Sequence, residues 1–85
     1  MRPVTVYTRA YCPYCTRALA LLERKGVTVT EIDASCPQKR QEMIERSGRW
    51  TFPQIFVGET HVGGCDDLYA LDQAGKLKPL LEPAH

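Results

Sequence analysis

Two cysteines, spaced three positions apart where a strand-like segment meets a helix-like one, constrain the fold of this chain more than any other feature. Cys12-Pro13-Tyr14-Cys15 follows residues 4–8, in which Val4 and Val6 alternate with polar residues as in a short strand. A helix is expected from Pro13, because proline is tolerated in a first helical turn, where its missing N–H would have no acceptor. The segment predicts a strand, a turn that carries the cysteine pair, and a helix.

The residues after the turn continue this pattern. Apolar side chains recur at i, i+3, i+4 and i+7 and predict one buried helix face, made of Cys15, Ala18, Leu19 and Leu22. Gly26 is a typical stop signal. A second strand is expected over residues 27–33. A polar surface helix is expected over residues 37–47, with Ser35 as its N-cap and Gly48 as its terminator.

The second half of the chain predicts a hairpin followed by helix. Strands over 53–57 and 60–62 flank the turn Gly58-Glu59, and a helix is expected over 66–74. A last apolar helical stripe follows, made of Leu77, Leu80 and Leu81. The predicted order is β-α-β-α-β-β-α. It favours one α/β domain over residues 1–85, with a four-stranded mixed sheet and helices on both faces.

Charge and hydropathy exclude several classes of function. The 85 residues carry a net charge of +1 with no polybasic tract, which argues against nucleic-acid and membrane-surface binding. No apolar run approaches the roughly 18–20 residues of a membrane span, and no signal-peptide core follows the N-terminus. We therefore expect a cytoplasmic protein. Since cytosolic disulfides are usually catalytic, two structural disulfides among the four cysteines are disfavoured.

A C-x-x-C motif in a β-α-β unit is typical of thioredoxin-like redox proteins. Thiol–disulfide exchange requires a thiolate, and the free N–H groups and dipole at a helix N-terminus stabilise an anion there. Cys12 is therefore the predicted nucleophile. Cys15 lies one turn further on the apolar face, where burial favours a neutral thiol, and is the predicted resolving partner. Simple packing of both thiols is one alternative. Structural zinc is another, although its remaining candidate ligands form no second paired motif: Cys36, Cys65, His61 and His85.

Three segments resemble the dithiol glutaredoxins. Residues 7–15, Tyr-Thr-Arg-Ala-Tyr-Cys-Pro-Tyr-Cys, resemble the active-site segment of that family. Residues 51–56, Thr-Phe-Pro-Gln-Ile-Phe, resemble its Thr-Val-Pro loop, and residues 63–68, Gly-Gly-Cys-Asp-Asp-Leu, resemble its Gly-Gly-x-Asp element. The resemblance covers nearly the whole chain and is greatest to the short bacterial members. It implies a thioredoxin-like fold and a glutathione-dependent oxidoreductase. Such an enzyme would reduce protein disulfides and glutathione mixed disulfides through Cys12 and Cys15.

The resemblance also implies a glutathione groove. In it, Pro53 is cis and faces the sulfurs, and the backbone of Phe52 pairs with the cysteine of glutathione. Asp66 meets the γ-glutamyl ammonium, and N–H groups at the following helix start bind the carboxylate. The implied set is Arg9, Tyr14, Arg49, Thr51, Phe52, Pro53, Gly64, Cys65 and Asp66, with the two arginines on the other carboxylate and Tyr14 as an exposed wall. On residue chemistry alone, Pro53 equally suits a strand start, Asp66 a helix cap and Arg49 a solvated surface.

Two residues depart from the family pattern. Phe52 stands where the family has valine, and Trp50 stands where a small or polar residue is usual. These large side chains are expected either to narrow the groove or to add a surface for protein docking. Cys36 is interpreted as an incidental thiol, with glutathionylation as a lesser alternative.

Glutathione is the expected co-substrate, and no metal is expected. The predicted protein partners are oxidised or glutathionylated proteins, with ribonucleotide reductase as one candidate, and the predicted state is a monomer. Three other functions are weighed. The first is a glutaredoxin-like protein that serves ribonucleotide reductase and is recharged by thioredoxin reductase. The second is a carrier of an iron–sulfur cluster between two monomers, which Pro13 disfavours by resemblance. The third is a plain interaction module, which the C-x-x-C motif makes improbable.

Overall fold

Four strands form one mixed sheet in the computed structural model, which describes residues 2–82. The strands are β1 Val4–Thr8, β2 Val29–Asp33, β3 Gln54–Val57 and β4 Thr60–Gly63. The helices are α1 Pro13–Arg24, α2 Pro37–Ser47, α3 Cys65–Gln73 and α4 Leu77–Leu81. The sheet order is β2-β1-β3-β4, with β1 parallel to β2 and β3 antiparallel to both β1 and β4. The predicted thioredoxin-like order is confirmed, and the last apolar stripe forms a separate short helix.

Each face of the sheet carries its own apolar cluster, because successive side chains of a strand point to opposite faces. Val4, Val6, Ile55 and Val57 lie on one face and pack against apolar side chains of α1, α3 and α4. Tyr7 and Phe56 lie on the other face and pack against two further buried side chains, Ala34 and, from α2, Met43. Helices therefore cover both faces, as predicted.

Strand direction brings three segments to the same end of the sheet. β1 and β4 run in the same direction and both finish at this end, whereas the antiparallel β3 begins there. The register pairs Tyr7 with Gln54 and Ile55 with Gly63. The start of α1, the loop before β3 and the start of α3 consequently lie side by side.

Two boundaries in the first half differ from prediction. β2 begins at Val29 instead of residue 27, because the Val27 N–H still donates to the Leu22 carbonyl at 3.2 Å and closes the end of α1. The N-cap of α2 is Cys36, not Ser35, and its side chain makes no capping bond. The Ser35 N–H instead donates to Asp33 Oδ1 at 2.9 Å.

The helix faces also differ in detail. In α1 the fully buried leucines are Leu21 and Leu22, and Leu19 is only partly buried at the margin of the cluster. Pro79 is the third residue of α4, where a missing N–H costs no intrahelical bond. Within residues 2–82, no helix is long and apolar enough to cross a bilayer.

Candidate active site

Cys12 is the N-cap of α1, with an extended backbone at φ −112° and ψ 101°. Its Sγ accepts a hydrogen bond from the Cys15 N–H at 3.3 Å, so one of the free donors of the first turn points at sulfur. The Cys12 carbonyl accepts from the Thr16 N–H at 3.1 Å and from the Thr16 hydroxyl at 3.3 Å. These bonds hold the sulfur where the helix end stabilises negative charge.

Cys15 is only 3% exposed, and both cysteines are free thiols. Burial, reinforced by the neighbouring Cys12, raises the pKa of the Cys15 thiol to about 12. Cys15 is therefore a neutral thiol at physiological pH. Cys12 is 7% exposed and reaches solvent through a depression shared with Arg9 and Tyr11. The pair thus combines a thiol at a helix end, which borders a surface depression, with a more deeply buried, protonated one.

A second depression, with a volume of about 220 Å³, is lined by Tyr14 from between the two cysteines of the motif. Eight of the nine residues predicted for the glutathione groove line it; Arg9 does not. The Phe52–Pro53 peptide bond is cis, as predicted. The lining residues are Tyr14, Arg49, Thr51, Phe52, Pro53, Gly64, Cys65, Asp66 and Asp67.

Asp67 is a residue of this groove that the sequence reasoning missed. Its Oδ2 accepts the Gly64 N–H at 2.9 Å and Nη1 of Arg49 at 3.1 Å. These two bonds, the Gly64 N–H first, hold the pKa of the Asp67 carboxyl below its usual range. Gly63 has φ +116°, and a Cβ there would collide with the Asp67 carboxylate. Glycine at position 63 is therefore required by the carboxylate that caps α3.

The alternative function of Asp66, that of a helix cap, is wrong. α3 begins at Cys65, one residue earlier than predicted, and Gly64 is its N-cap. Asp66 lies in the first turn, and the carboxylate that bonds the cap is that of Asp67. Burial, together with the charge of Asp66, raises the pKa of the Cys65 thiol. Because Asp67 provides the capping carboxylate, the Asp66 side chain is left available for a ligand.

Gln54 supports the loop that forms one wall of the groove. Its fully buried side chain donates from Nε2 to the Thr51 carbonyl at 3.0 Å and to the Thr51 hydroxyl at 3.1 Å. Its Oε1 lies 2.7 Å from Nε2 of His61, which therefore carries a proton. Burial, and then Arg49, lowers the pKa of His61, which favours the neutral ring. The one sequence signal for this support was a glutamine inside an apolar strand.

Two arginines lie close to the Phe52 ring. The guanidinium carbons of Arg9 and Arg40 each lie 5.7 Å from the ring centroid, within the range of cation–π contact. Arg40 comes from α2 and was not among the predicted site residues. Arg9 and Arg40 line the same depression, so Arg9 lies on the side of Phe52 that faces α2. The other residues predicted for the glutathione groove line the depression on the side that faces α3.

A thioredoxin-like sheet with a free thiol at a helix N-terminus and a buried thiol one turn later defines a thiol–disulfide oxidoreductase. The sequence profile of the Glutaredoxin family matches residues 4–62. Glutaredoxin 3 of Escherichia coli K12 is 58% identical over 84 residues, covering 96% of this chain and all of the relative.

Solved structures agree with this assignment. The crystal structure of a buckwheat glutaredoxin–glutathione complex has a TM-score of 0.84 at 30% identity, covering 94% of this chain and 76% of that one. A structure solved in work on metal binding of glutaredoxins has a TM-score of 0.74 at 62% identity, covering all of this chain and 94% of that one. The chain belongs to the glutaredoxin family, the glutathione-dependent thiol–disulfide oxidoreductases.

Proposed function

We propose that Cys12 is the nucleophile of this oxidoreductase and Cys15 its resolving thiol. The Cys12 thiolate attacks one sulfur of a substrate disulfide; a mixed disulfide forms, and the other substrate sulfur leaves as a thiolate. With a protein disulfide, Cys15 loses its proton and attacks Cys12 Sγ. The Cys12–Cys15 disulfide forms and the reduced protein departs. Two glutathione molecules then restore both thiols and leave as glutathione disulfide.

A glutathionylated protein requires only the first cysteine. Cys12 takes the glutathionyl group and the protein leaves as a thiol. A second glutathione then attacks the mixed disulfide, which returns Cys12 to the thiolate and releases glutathione disulfide. The observation that carries both routes is the Cys15 N–H that donates to Cys12 Sγ at 3.3 Å from the first turn of α1.

The groove beside the cysteines is the proposed glutathione site. Within residues 2–82, no hydrogen bond occupies the N–H or carbonyl of Phe52, and both are free to pair with the cysteine of glutathione. The first N–H groups of α3, at Cys65 and Asp66, are free for the γ-glutamyl carboxylate, and the Asp66 side chain meets the ammonium. Tyr14 and Thr51 form walls, and Pro53 and Gly64 close the groove between them.

The glycyl end of glutathione needs a cation. Arg49 is already paired with Asp67 at 3.1 Å, so its predicted function on this carboxylate is weakened. Arg9 and Arg40 have no carboxylate within salt-bridge distance among the described residues. We therefore assign the glycyl carboxylate to this second pair, next to Phe52.

The proposed protein substrates are oxidised or glutathionylated proteins, with ribonucleotide reductase as one candidate. The proposed working form is a single-domain monomer in the cytoplasm, where a reducing environment suits four free thiols: Cys12, Cys15, Cys36 and Cys65.

We propose that no resident metal takes part in this activity. In the described part of the chain, no three Cys, His, Asp or Glu side chains converge at one point, and the proposed route uses only thiol sulfurs. The similar structure from work on metal binding makes a direct check worthwhile. Metal analysis of protein purified without oxygen is expected to show less than one metal per two chains. A brown protein with visible absorbance would instead support a cluster carrier.

The test is glutathione-dependent reduction of hydroxyethyl disulfide, coupled to glutathione reductase and NADPH. Cys12→Ser is expected to abolish turnover, and Cys15→Ser is expected to keep it while losing reduction of protein disulfides. Retention of deglutathionylation by Cys12→Ser would refute the assignment of the nucleophile. No turnover by the wild type with glutathione, but turnover with thioredoxin reductase, would identify the other electron source.

A further inference from the structure

We propose that Trp50, Arg9 and Arg40 form a docking surface for an acidic segment of the protein substrate, next to its disulfide. This surface deepens the proposed function and rests on it. Arg9, Arg40, Trp50, Thr51 and Phe52 line a concave region of about 580 Å³ on the α2 side of Phe52. Thr51 and Phe52 also line the glutathione groove, so the two depressions adjoin at these residues.

The first argument is the position of the exposed aromatic side chains. Within residues 2–82, three large hydrophobic side chains are strongly exposed: Trp50 at 72%, Tyr11 at 100% and Tyr14 at 54%. All three border the depressions around Cys12 and Phe52. Tryptophan and tyrosine are enriched among the residues that dominate protein–protein binding. Their concentration at one end of the molecule indicates that a macromolecule covers this end.

The second argument is charge. No acidic side chain lines the Trp50 region, and neither of its arginines has a salt-bridge partner in the described part of the chain. A guanidinium stacked near an aromatic ring keeps its N–H groups available for a carboxylate. A surface of two free arginines beside an exposed tryptophan is complementary to a segment with Asp or Glu and apolar residues.

The third argument is the volume of the depression. The Trp50 region is more than twice as large as the groove proposed for glutathione, at about 580 Å³ against about 220 Å³. The glycyl carboxylate of glutathione occupies only a small part of it. Before attack on a protein disulfide, no glutathione is bound, and the same arginines are open to the substrate's own chain. Trp50 then contacts residues that a small disulfide lacks.

Two synthetic peptides test this surface. Each carries one disulfide between two cysteines at its centre, flanked in one peptide by Glu and Asp and in the other by Lys. We expect kcat/KM to be about tenfold higher for the acidic peptide at low salt. This preference should disappear at about 1 M salt, because the Debye length is then about 3 Å and the charges are screened from one another.

Variants locate the effect. Trp50→Thr is expected to lower kcat/KM for the acidic peptide about fivefold, with turnover of hydroxyethyl disulfide unchanged, and Trp50→Tyr is expected to restore most of the loss. Arg40→Gln and Arg24→Gln remove the same charge, and Arg24 lies at the far end of α1. Only Arg40→Gln should reduce the preference for the acidic peptide.

Three results overturn the proposal. They are equal rates for the two peptides, an equal effect of Arg24→Gln and Arg40→Gln, or a loss in Trp50→Thr that is as large for hydroxyethyl disulfide as for the peptide. Failure of the wild type to reduce hydroxyethyl disulfide with glutathione would overturn the proposed function, and the docking surface with it. The small substrate therefore separates the two failures.

Discussion

Removal of the Asp67 carboxylate should destabilise the protein by an amount that its two hydrogen bonds determine. Loss of a helix cap costs about 1 kcal/mol, which applies to the Gly64 N–H bonded at 2.9 Å. The ion pair with Arg49 joins side chains that are about half exposed, so it contributes only about 0.5 kcal/mol. Asp67→Ala should therefore lower the free energy of unfolding by about 1.5 kcal/mol. In a domain of this size, that is a fall in Tm of roughly 6–12 °C.

Asp67→Asn separates the two contributions, because its amide oxygen still accepts the Gly64 N–H but carries no charge. We expect it to lose about 0.5 kcal/mol, as Arg49→Gln should. The measurement is urea and thermal unfolding of the reduced proteins, followed by circular dichroism. Equal stability of Asp67→Ala and Asp67→Asn would refute the helix-cap interpretation.

The pH dependence has a definite sign. The pKa of Asp67 is lowered in the folded protein by the Gly64 N–H and then by Arg49. Its contribution is therefore fully present above the unfolded pKa of about 3.9 and is lost as pH falls through the lower folded value. The advantage of the wild type over Asp67→Asn should persist from about pH 5 to 7 and shrink in acid. A constant advantage down to about pH 2 would contradict the charge argument.

Three further predictions concern the core, the resolving thiol and the groove wall. Met43→Ala, at a fully buried position, should cost about 3 kcal/mol in urea unfolding, and a loss below about 1 kcal/mol would contradict its place in the second cluster. Because the pKa of Cys15 is about 12, iodoacetamide at pH 7 should label Cys12 but not Cys15 in mass spectrometry, and labelling of Cys15 in Cys12→Ser should rise only above about pH 10. Gln54→Leu leaves the His61 N–H and the Thr51 carbonyl without their partner. It should cost about 1–2 kcal/mol and raise KM for glutathione more than it lowers kcat; an unchanged KM would show that Gln54 does not position the loop.

The fold was predictable because its signals are local. The alternation in β1, the apolar stripe of α1 and the glycines after the helices each depend on a few neighbouring residues, and they predicted the element order. The errors lie at element ends. Ser35 is a good N-cap by residue type, but Asp33 captures its N–H, and α2 starts after Cys36 instead. Such a competition between neighbouring side chains is decided by geometry that residue type does not specify.

The site was predictable only as far as the family motifs reach. Those motifs identified the cysteines and most of the groove lining, but they did not predict that Asp67 bonds Gly64 and Arg49. Nor did they include Arg40, because it comes from α2, on the opposite face of the sheet from α1 and α3. Contacts between distant parts of the chain need the fold before they can be assigned.

Two helix N-termini lie at the end of the sheet where β1 and β4 finish. They differ in the group that accepts their first N–H donors. At α1 the cap is Cys12, so the sulfur at this helix end is that of the proposed nucleophile. At α3 a carboxylate of the chain takes only the Gly64 N–H, which leaves the donors of the first turn for a ligand. Phe52, with its free backbone groups, lies between the two helix ends. In the proposed function, a disulfide anchored by its carboxylate at α3 and paired along Phe52 is directed toward Cys12. Because β1 and β4 run in the same direction, the topology itself aligns binding at one helix end with attack at the other.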